Sequence, residues 1–267
     1  MPGHTIQQRY DLETLIPRIE SGFTLLTPNA RLARRIKSAW DALQQAEGAA
    51  VWEPLRVYSL EPWLLDRWHE SVRMGLSPDR VILDDQKALT LWQRAIEEEQ
   101  ADSGEYSLLQ GGAAAALAHE ARERLLRWQV DYAGPSLRQA FELEPDCASF
   151  LAWSERYQRY LDAAQLATSG DCIAALLKAA SGMPGAPLAL LEFEDVPPLY
   201  QACIEALGDP VERPEAGGDA SRCSAMRLPD RRSELARAAC WARELSQRED
   251  GARIGIVLSD MASDRTT

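Results

Sequence analysis

Two stretches in which short apolar, β-branched runs alternate with helical spacing are held apart by residues 84–180, where the helical spacing stands alone. A chain laid out this way has to build its sheet from strands far apart in sequence, with a block of helices between them. The first stretch contains Gly22-Phe23-Thr24-Leu25-Leu26-Thr27, a strand candidate closed by Pro28-Asn29, after which Leu32, Ile36, Trp40 and Leu43 recur at helical spacing. Leu55–Ser59 reads as a second strand, and Glu61-Pro62 opens a helix carrying Trp63, Leu64 and Trp68. Proline in a first helical turn gives up an N–H that has no intrahelical acceptor. Ahead of Gly22, Asp11–Glu20 reads as an amphipathic helix through Leu12, Leu15, Ile16 and Ile19.

Within the helical stretch, Asp84 or Asp85 caps a helix expected to run through Glu99. Leu108–Val130 sets Leu117, Ala121, Leu125 and Trp128 on one face, and Phe150, Trp153, Tyr157, Leu161 and Ala164 repeat the spacing. Gly104, Gly134-Pro135 and Gly170 punctuate these helices. The strand signal returns at Pro187–Phe193, followed by a helix over Leu199–Leu207 after Pro197-Pro198. Residues 208–222, rich in Gly, Pro, Asp and Glu, read as a linker or mobile loop. Beyond them come a strand over Cys223–Leu228, a helix over Ser233–Gln247 with Leu235, Ala238, Ala242 and Leu245 inward, and a strand over Arg253–Leu258. Such alternation implies a mainly parallel sheet covered on both faces. Only Ser259–Thr267 follows the last strand, so the chain is expected to be the front part of a larger architecture. The expected divisions are 1–83, 84–181, 182–222 and 223–267.

No run of about 18 apolar residues occurs, and the N-terminus lacks the basic-then-apolar layout of a secretory signal, so a cytoplasmic protein without a membrane partner is expected. The net charge of −12 argues against a surface that grips polyphosphate everywhere, but leaves room for a local groove at the basic cluster Arg31, Arg34, Arg35 and Lys37. Cys147, Cys172, Cys203, Cys223 and Cys240 are scattered and never spaced C-x-x-C, which reads as reduced thiols rather than a zinc site or a disulfide framework. Trp40, Trp63, Trp68, Trp92, Trp128 and Trp153 fall on apolar helix faces and are expected to pack rather than to stack bases.

The run Leu25-Leu26-Thr27-Pro28-Asn29-Ala30-Arg31-Leu32-Ala33-Arg34-Arg35 resembles the strand and loop that precede a single-strand-contacting motif in UvrD-like superfamily 1 helicases. Val57-Tyr58-Ser59-Leu60 with Trp63-Leu64 is similar to the next strand-helix unit of AddB-type subunits, and Asp85-Gln86 through Trp92 and Ile96 is similar to the opening of their helical insertion. Leu190–Val196 falls where the Walker B strand would lie, and the Glu234 helix followed by Ala252–Val257 looks like the start of a second helicase-like lobe. Together these segments resemble the bacterial probable DNA repair protein family related to AddB, over nearly the whole chain. The resemblance implies an α/β fold of RecA-like (P-loop NTPase-like) type with a large all-helical insertion subdomain, and a role in DNA repair and recombination. Family members continue into the rest of the second lobe and a C-terminal PD-(D/E)XK nuclease. The whole reading requires residues 22–29 and 187–193 to lie side by side in one sheet.

Nucleotide hydrolysis on such a fold needs a glycine-rich loop to cradle phosphates, a lysine and a magnesium-binding Ser or Thr. The chain has no G-x-x-x-x-G-K-[ST], so its ATP motif is degenerate and no catalytic residue or cofactor is assigned. Glu192, Glu194 and Asp195, at the degenerate Walker B position, are hard oxygen ligands, yet they read more simply as solvent-facing carboxylates at a strand end, and no metal is expected. His69-Glu70 and His119-Glu120 each lack a second His four residues after the first, which removes a zincin reading. What remains is the loop leaving the first strand. Free N–H groups and a positive helix end there suit a phosphate held by Thr27 and Asn29, with Arg31, Arg34 and Arg35 tracking a single strand. In the competing reading Asn29 caps the helix and the arginines are solvated or paired. The expected partners are single-stranded DNA and a helicase or nuclease subunit; a protein-interaction module without nucleic-acid binding is the alternative.

Overall fold

Leu25 and Leu26 point to opposite faces of their strand, as successive residues of any strand must, and each begins one layer of the core. A computed structural model describes residues 10–103, 111–132, 134–214, 224–248 and 254–258 of the chain. It divides into two units, Met1–Gly217 and Gly218–Thr267.

In the first unit the elements run α1 (Ile16–Glu20), β1 (Thr24–Thr27), α2 (Ala30–Ala46), β2 (Val57–Ser59), α3 (Leu60–Arg73), β3 (Val81–Ile82), α4 (Asp85–Ser103), α5 (Gly111–Arg127), α6 (Pro135–Glu142), α7 (Pro145–Ala163), β4 (Leu166–Ala167), α8 (Ser169–Ala179), β5 (Ala186–Leu190), α9 (Pro198–Leu207) and β6 (Gly208–Glu212). The four-stranded sheet has the order β2-β1-β5-β6, with every pair parallel. Residues 22–29 and 187–193 do meet in it. Thr24, Leu25 and Leu26 lie opposite Leu188, Ala189 and Leu190, and the Leu191 N–H extends the pairing by donating to the Leu26 carbonyl at 2.9 Å.

On one face Leu25, Val57 and Ala189 pack under Leu32, Ala33 and Ile36 of α2, with Leu12 and Leu15 closing the edge. On the other, Leu26, Leu188 and Leu190 pack under Trp63, Leu64 and Trp68 of α3, Cys172, Ile173 and Leu176 of α8, and Cys203, Ile204 and Leu207 of α9. The amphipathic helix expected over Asp11–Glu20 is shorter than its apolar spacing suggests. Pro17 sits in the first turn of α1, which starts at Ile16, yet Leu12 and Leu15 are buried all the same.

β6 corrects the reading of residues 208–222 as a linker. Gly208–Glu212 is an edge strand paired with β5 through Ala186↔Gly208, Leu188↔Val211 and Ala189↔Glu212, with a register shift between them. Its Gly-Asp-Pro opening hides it, because proline removes a ladder donor and is tolerated only at a sheet edge or an irregularity. A Cβ on Gly208 would come within 2.8 Å of the Ile204 carbonyl, so glycine lets α9 turn straight into the strand. Residues 215–222 of the expected linker lie outside the described residues.

The helical stretch also divides differently from the expected 84–181. Helices α4, α5 and α7 share a separate core of Trp92, Ala95, Ile96, Ala115, Ala118, Phe150, Tyr157 and Leu161, in which the Trp92 and Tyr157 rings stack at 4.2 Å. Helix α8 instead belongs to the layer on the sheet, and the parallel pair Val81↔Leu166 and Ile82↔Ala167 marks where the chain leaves that layer and returns to it. Asp84 caps α4 by accepting from the Lys87 N–H at 2.8 Å, and Thr168 with Asp171 forms a capping box on α8. Gly134 precedes α6 as its N-cap residue, while Gly170 lies within the first turn of α8 rather than marking a break; Gly104 is outside the described residues.

The apolar face read for α5 is only partly its core face: Ala121 and Leu125 pack half-buried against the helical core. Ala115, Ala118 and Arg122 are buried, while Leu117 is 68% and Trp128 51% exposed. Ala164 likewise is the exposed C-cap of α7, one turn beyond its buried face. Of the other tryptophans assigned to packing, Trp63, Trp68 and Trp92 are buried, and Trp40 and Trp153 half-buried.

In the second unit α10 (Arg231–Arg248) keeps Leu235, Ala238, Ala242 and Leu245 half-buried. The strands expected over 223–228 and 253–258 are absent among the described residues 224–228 and 254–258, where Val257 is 96% exposed. An apolar run becomes a strand only where another strand accepts its ladder. No helix among the described residues is long and apolar enough to cross a membrane.

Candidate functional site at the carboxyl ends of β1 and β5

From β1 the chain crosses to β2 on one side and later returns to β5 and β6 on the other. The two strands that part company in this way leave a crevice outside their carboxyl ends, the usual place for a ligand on an open parallel sheet. Both residue sets singled out from the sequence lie at the carboxyl ends of these two strands or in the segments that follow them. Thr27, Asn29, Arg31, Arg34 and Arg35 follow from β1 into α2, and Glu192, Glu194 and Asp195 follow β5.

Thr27 is fully buried, and its Oγ1 lies 3.0 Å from the Asn29 carbonyl and 3.1 Å from the Tyr58 carbonyl. Its single proton therefore ties the loop to itself or to β2, and the hydroxyl is closed off from solvent. Asn29 takes the capping role, its Oδ1 accepting the Leu32 N–H at 3.0 Å. The first amides of α2 have no intrahelical acceptor and remain at the crevice. Arg31 is exposed and, among the described residues, has no hydrogen-bonded or ionic partner. Arg34 is exposed too, with Nε donating to the Ala30 carbonyl at 3.3 Å.

Arg35 reaches the other half of the site through a residue the sequence did not suggest. Its guanidinium sits 5.9 Å from the centroid of Tyr10, whose hydroxyl donates to Glu192 Oε1 at 2.9 Å. Burial, then the hydrogen bond and charge of Glu192, push the Tyr10 hydroxyl far above its ordinary value, so the phenol stays protonated. Glu192 has φ +56°, a left-handed backbone that is uncommon for a residue with a side chain. Glu194 and Asp195 are exposed, and no group of three His, Cys, Asp or Glu among the described residues is arranged to hold a metal ion. Nothing in the spacing of the chain signalled Tyr10, which lies 182 residues from Glu192.

At the same end of the sheet, on its other face, the heads of α3 and α9 meet the tail of α5. Tyr200 donates to Glu61 Oε2 at 3.2 Å, and Arg127 approaches the same oxygen at 3.8 Å and the Tyr200 ring at 6.0 Å. Deeper in, Arg122 of α5 is 3% exposed. It donates to Asp171 Oδ1 and Gln158 Oε1 at 2.8 Å each, lies 3.5 Å from Glu123 and stacks on Tyr157 at 5.5 Å. Burial disfavours the charge on Arg122, but Asp171 and Glu123 outweigh it and the guanidinium is held protonated. This cluster joins α5, α7 and α8. A Cβ on Gly170 would sit 2.7 Å from Glu123 Oε2, which is why α8 can approach so closely. Cys147, Cys172, Cys203 and Cys240 are free thiols, and burial pushes Cys172 and Cys203 up to about 12, leaving them unreactive; Cys223 is outside the described residues.

No protein-family model matches the chain, and no curated protein matches it.

Proposed function

We propose that the chain is a non-catalytic, helicase-like scaffold of the DNA repair and recombination kind, a RecA-like lobe with a helical insertion that holds single-stranded DNA or a partner subunit and turns over no nucleotide. One observation carries this reading. Leu25–Arg35, which resembles the strand and loop of superfamily 1 helicases, and Leu190–Val196, at the Walker B position of that resemblance, are far apart in the chain and run out of adjacent parallel strands. The absence of a phosphate-cradling motif from the sequence supports binding without hydrolysis. Exposed Arg31 and the N-terminal amides of α2 supply the anion-binding chemistry, while Asn29 and Thr27 shape the loop.

Fluorescence anisotropy with a labelled single-stranded oligonucleotide tests this. Binding should weaken steeply with salt, and Arg31→Ala combined with Arg34→Ala should shallow that dependence by one to two units of log affinity per log salt, about 0.7 for each phosphate no longer neutralised. A folded chain that binds no oligonucleotide at low salt overturns the DNA half of the proposal, and DNA-stimulated ATP hydrolysis overturns the other half. The net charge of −12 favours the second reading, a protein-interaction module without nucleic-acid binding.

A further inference from the structure

Beside its buried face, helix α5 carries an apolar stripe that is only partly covered, with Leu117 and Trp128 exposed and Ala121 and Leu125 half-buried between them. Ala115 faces the core of the helical block, whereas Leu117, Ala118, Ala121 and Leu125 line an open groove of about 1050 Å3 bounded by α4, α5, α6 and α7, with Ala121 and Leu125 at the edge of that core. Trp128 continues this stripe just past the end of the helix. From Leu117 to Trp128 the stripe runs about 16 Å, three helical turns. An apolar stripe of this continuity, with large exposed side chains at its ends and half-buried Ala121 and Leu125 between them, marks an interaction face. Alanine lets a second backbone come close, and the three-to-four spacing matches the anchors of a helix laid into a groove.

The charges around the groove select its occupant. Arg124 is neutralised by Glu120 at 2.6 Å, Arg138 by Glu142 at 2.9 Å and Glu155 at 2.8 Å, and Glu99 by Arg156. Asp146, in the groove wall, and the neighbouring Glu144 have no ionic partner among the described residues. The uncompensated charge is thus acidic, on a chain whose net charge is already −12. We propose that this groove docks an amphipathic helix of a partner protein, its apolar face on the Leu117–Trp128 stripe and its flanking lysines or arginines beside Glu144 and Asp146. The surface is separate from the β1–β5 crevice and does not depend on the function proposed for it.

The test uses a fluorescent synthetic helix with leucines at positions i, i+3, i+4 and i+7 and lysines elsewhere, titrated with the full chain, beside a peptide carrying glutamates in place of the lysines. The basic peptide should bind and the acidic one should not. Leu117→Ser with Trp128→Ser should weaken binding about tenfold or more with an unchanged circular dichroism spectrum, since both side chains are exposed. Glu144→Lys with Asp146→Lys should weaken it by a smaller factor that vanishes at high salt. Equal binding to the Leu117→Ser, Trp128→Ser variant would mean general charge attraction and overturn the proposal. So would self-association abolished by that variant, which would assign the groove to a second copy. Binding that appears only when residues 104–110 are replaced by a glycine-serine linker would assign it to the chain itself and overturn the proposal too.

Discussion

The sheet layers and the helical block use their side chains in opposite ways. On the sheet the large aliphatic residues are inside, with Leu25, Leu26, Leu64, Ile173 and Leu188 all buried. In the helical block Leu117 lies outside while Arg122 and Glu123 lie inside. The difference follows from geometry. A strand's side chains alternate strictly between two faces, and with helices on both sides neither face of β1 or β5 is left for water. A helix shows several stripes, and which one turns inward depends on how near its neighbours come. Alanine at 115 and 118 permits a close approach, and the small Gly170 does the same where α8 meets α5.

The contrast makes its largest prediction at Arg122. Arg122→Ala leaves Asp171 and Glu123 partly or wholly buried without their cation, and should lower unfolding free energy by about 3–5 kcal/mol in urea titration. A loss below about 1 kcal/mol would mean that the cluster is solvated and that the two regions follow one rule. Next comes a matched pair of leucines. Leu26→Ala should cost about 2–5 kcal/mol, against about 0.5 kcal/mol or less for Leu117→Ala, so equal midpoint shifts would erase the distinction. The smallest effect is local to the crevice. Asn29→Ala removes the cap of α2 and should cost about 1 kcal/mol by thermal melting, while Asn29→Asp should keep the cap and most of the stability.

How far each region could be read beforehand follows the same division. β1, β2 and β5 announce themselves through β-branched or leucine-rich runs bounded by Pro and Gly, and their neighbourhood in one sheet follows from a parallel-sheet reading. The cap at Asn29 is equally plain, since Asn before a periodic run is a local signal. β6 is hidden because its Gly-Asp-Pro sequence obeys the rules of an edge, which are also those of a loop. Helix α8 has the same periodicity whether it joins the helical block or the sheet, and only its packing on α3 and α9 decides between them. At the crevice the acidic and basic sets are legible as separate clusters. Tyr10, which connects Arg35 to Glu192, is not, because a lone tyrosine carries no spacing.

By itself the amino-acid sequence determined the parts whose causes are local: strands β1, β2 and β5, the caps at Asn29 and Asp84, and the lack of a G-x-x-x-x-G-K-[ST] motif. Only the tertiary structure decided which stripe of α5 is covered, that Gly208–Glu212 closes the sheet edge, and that Arg122 is buried among partners from three helices. Caps and strand alternation depend on neighbours within a few residues. Burial of a helix face or a charge depends on what distant elements bring against it, and that is settled only when the whole chain has packed.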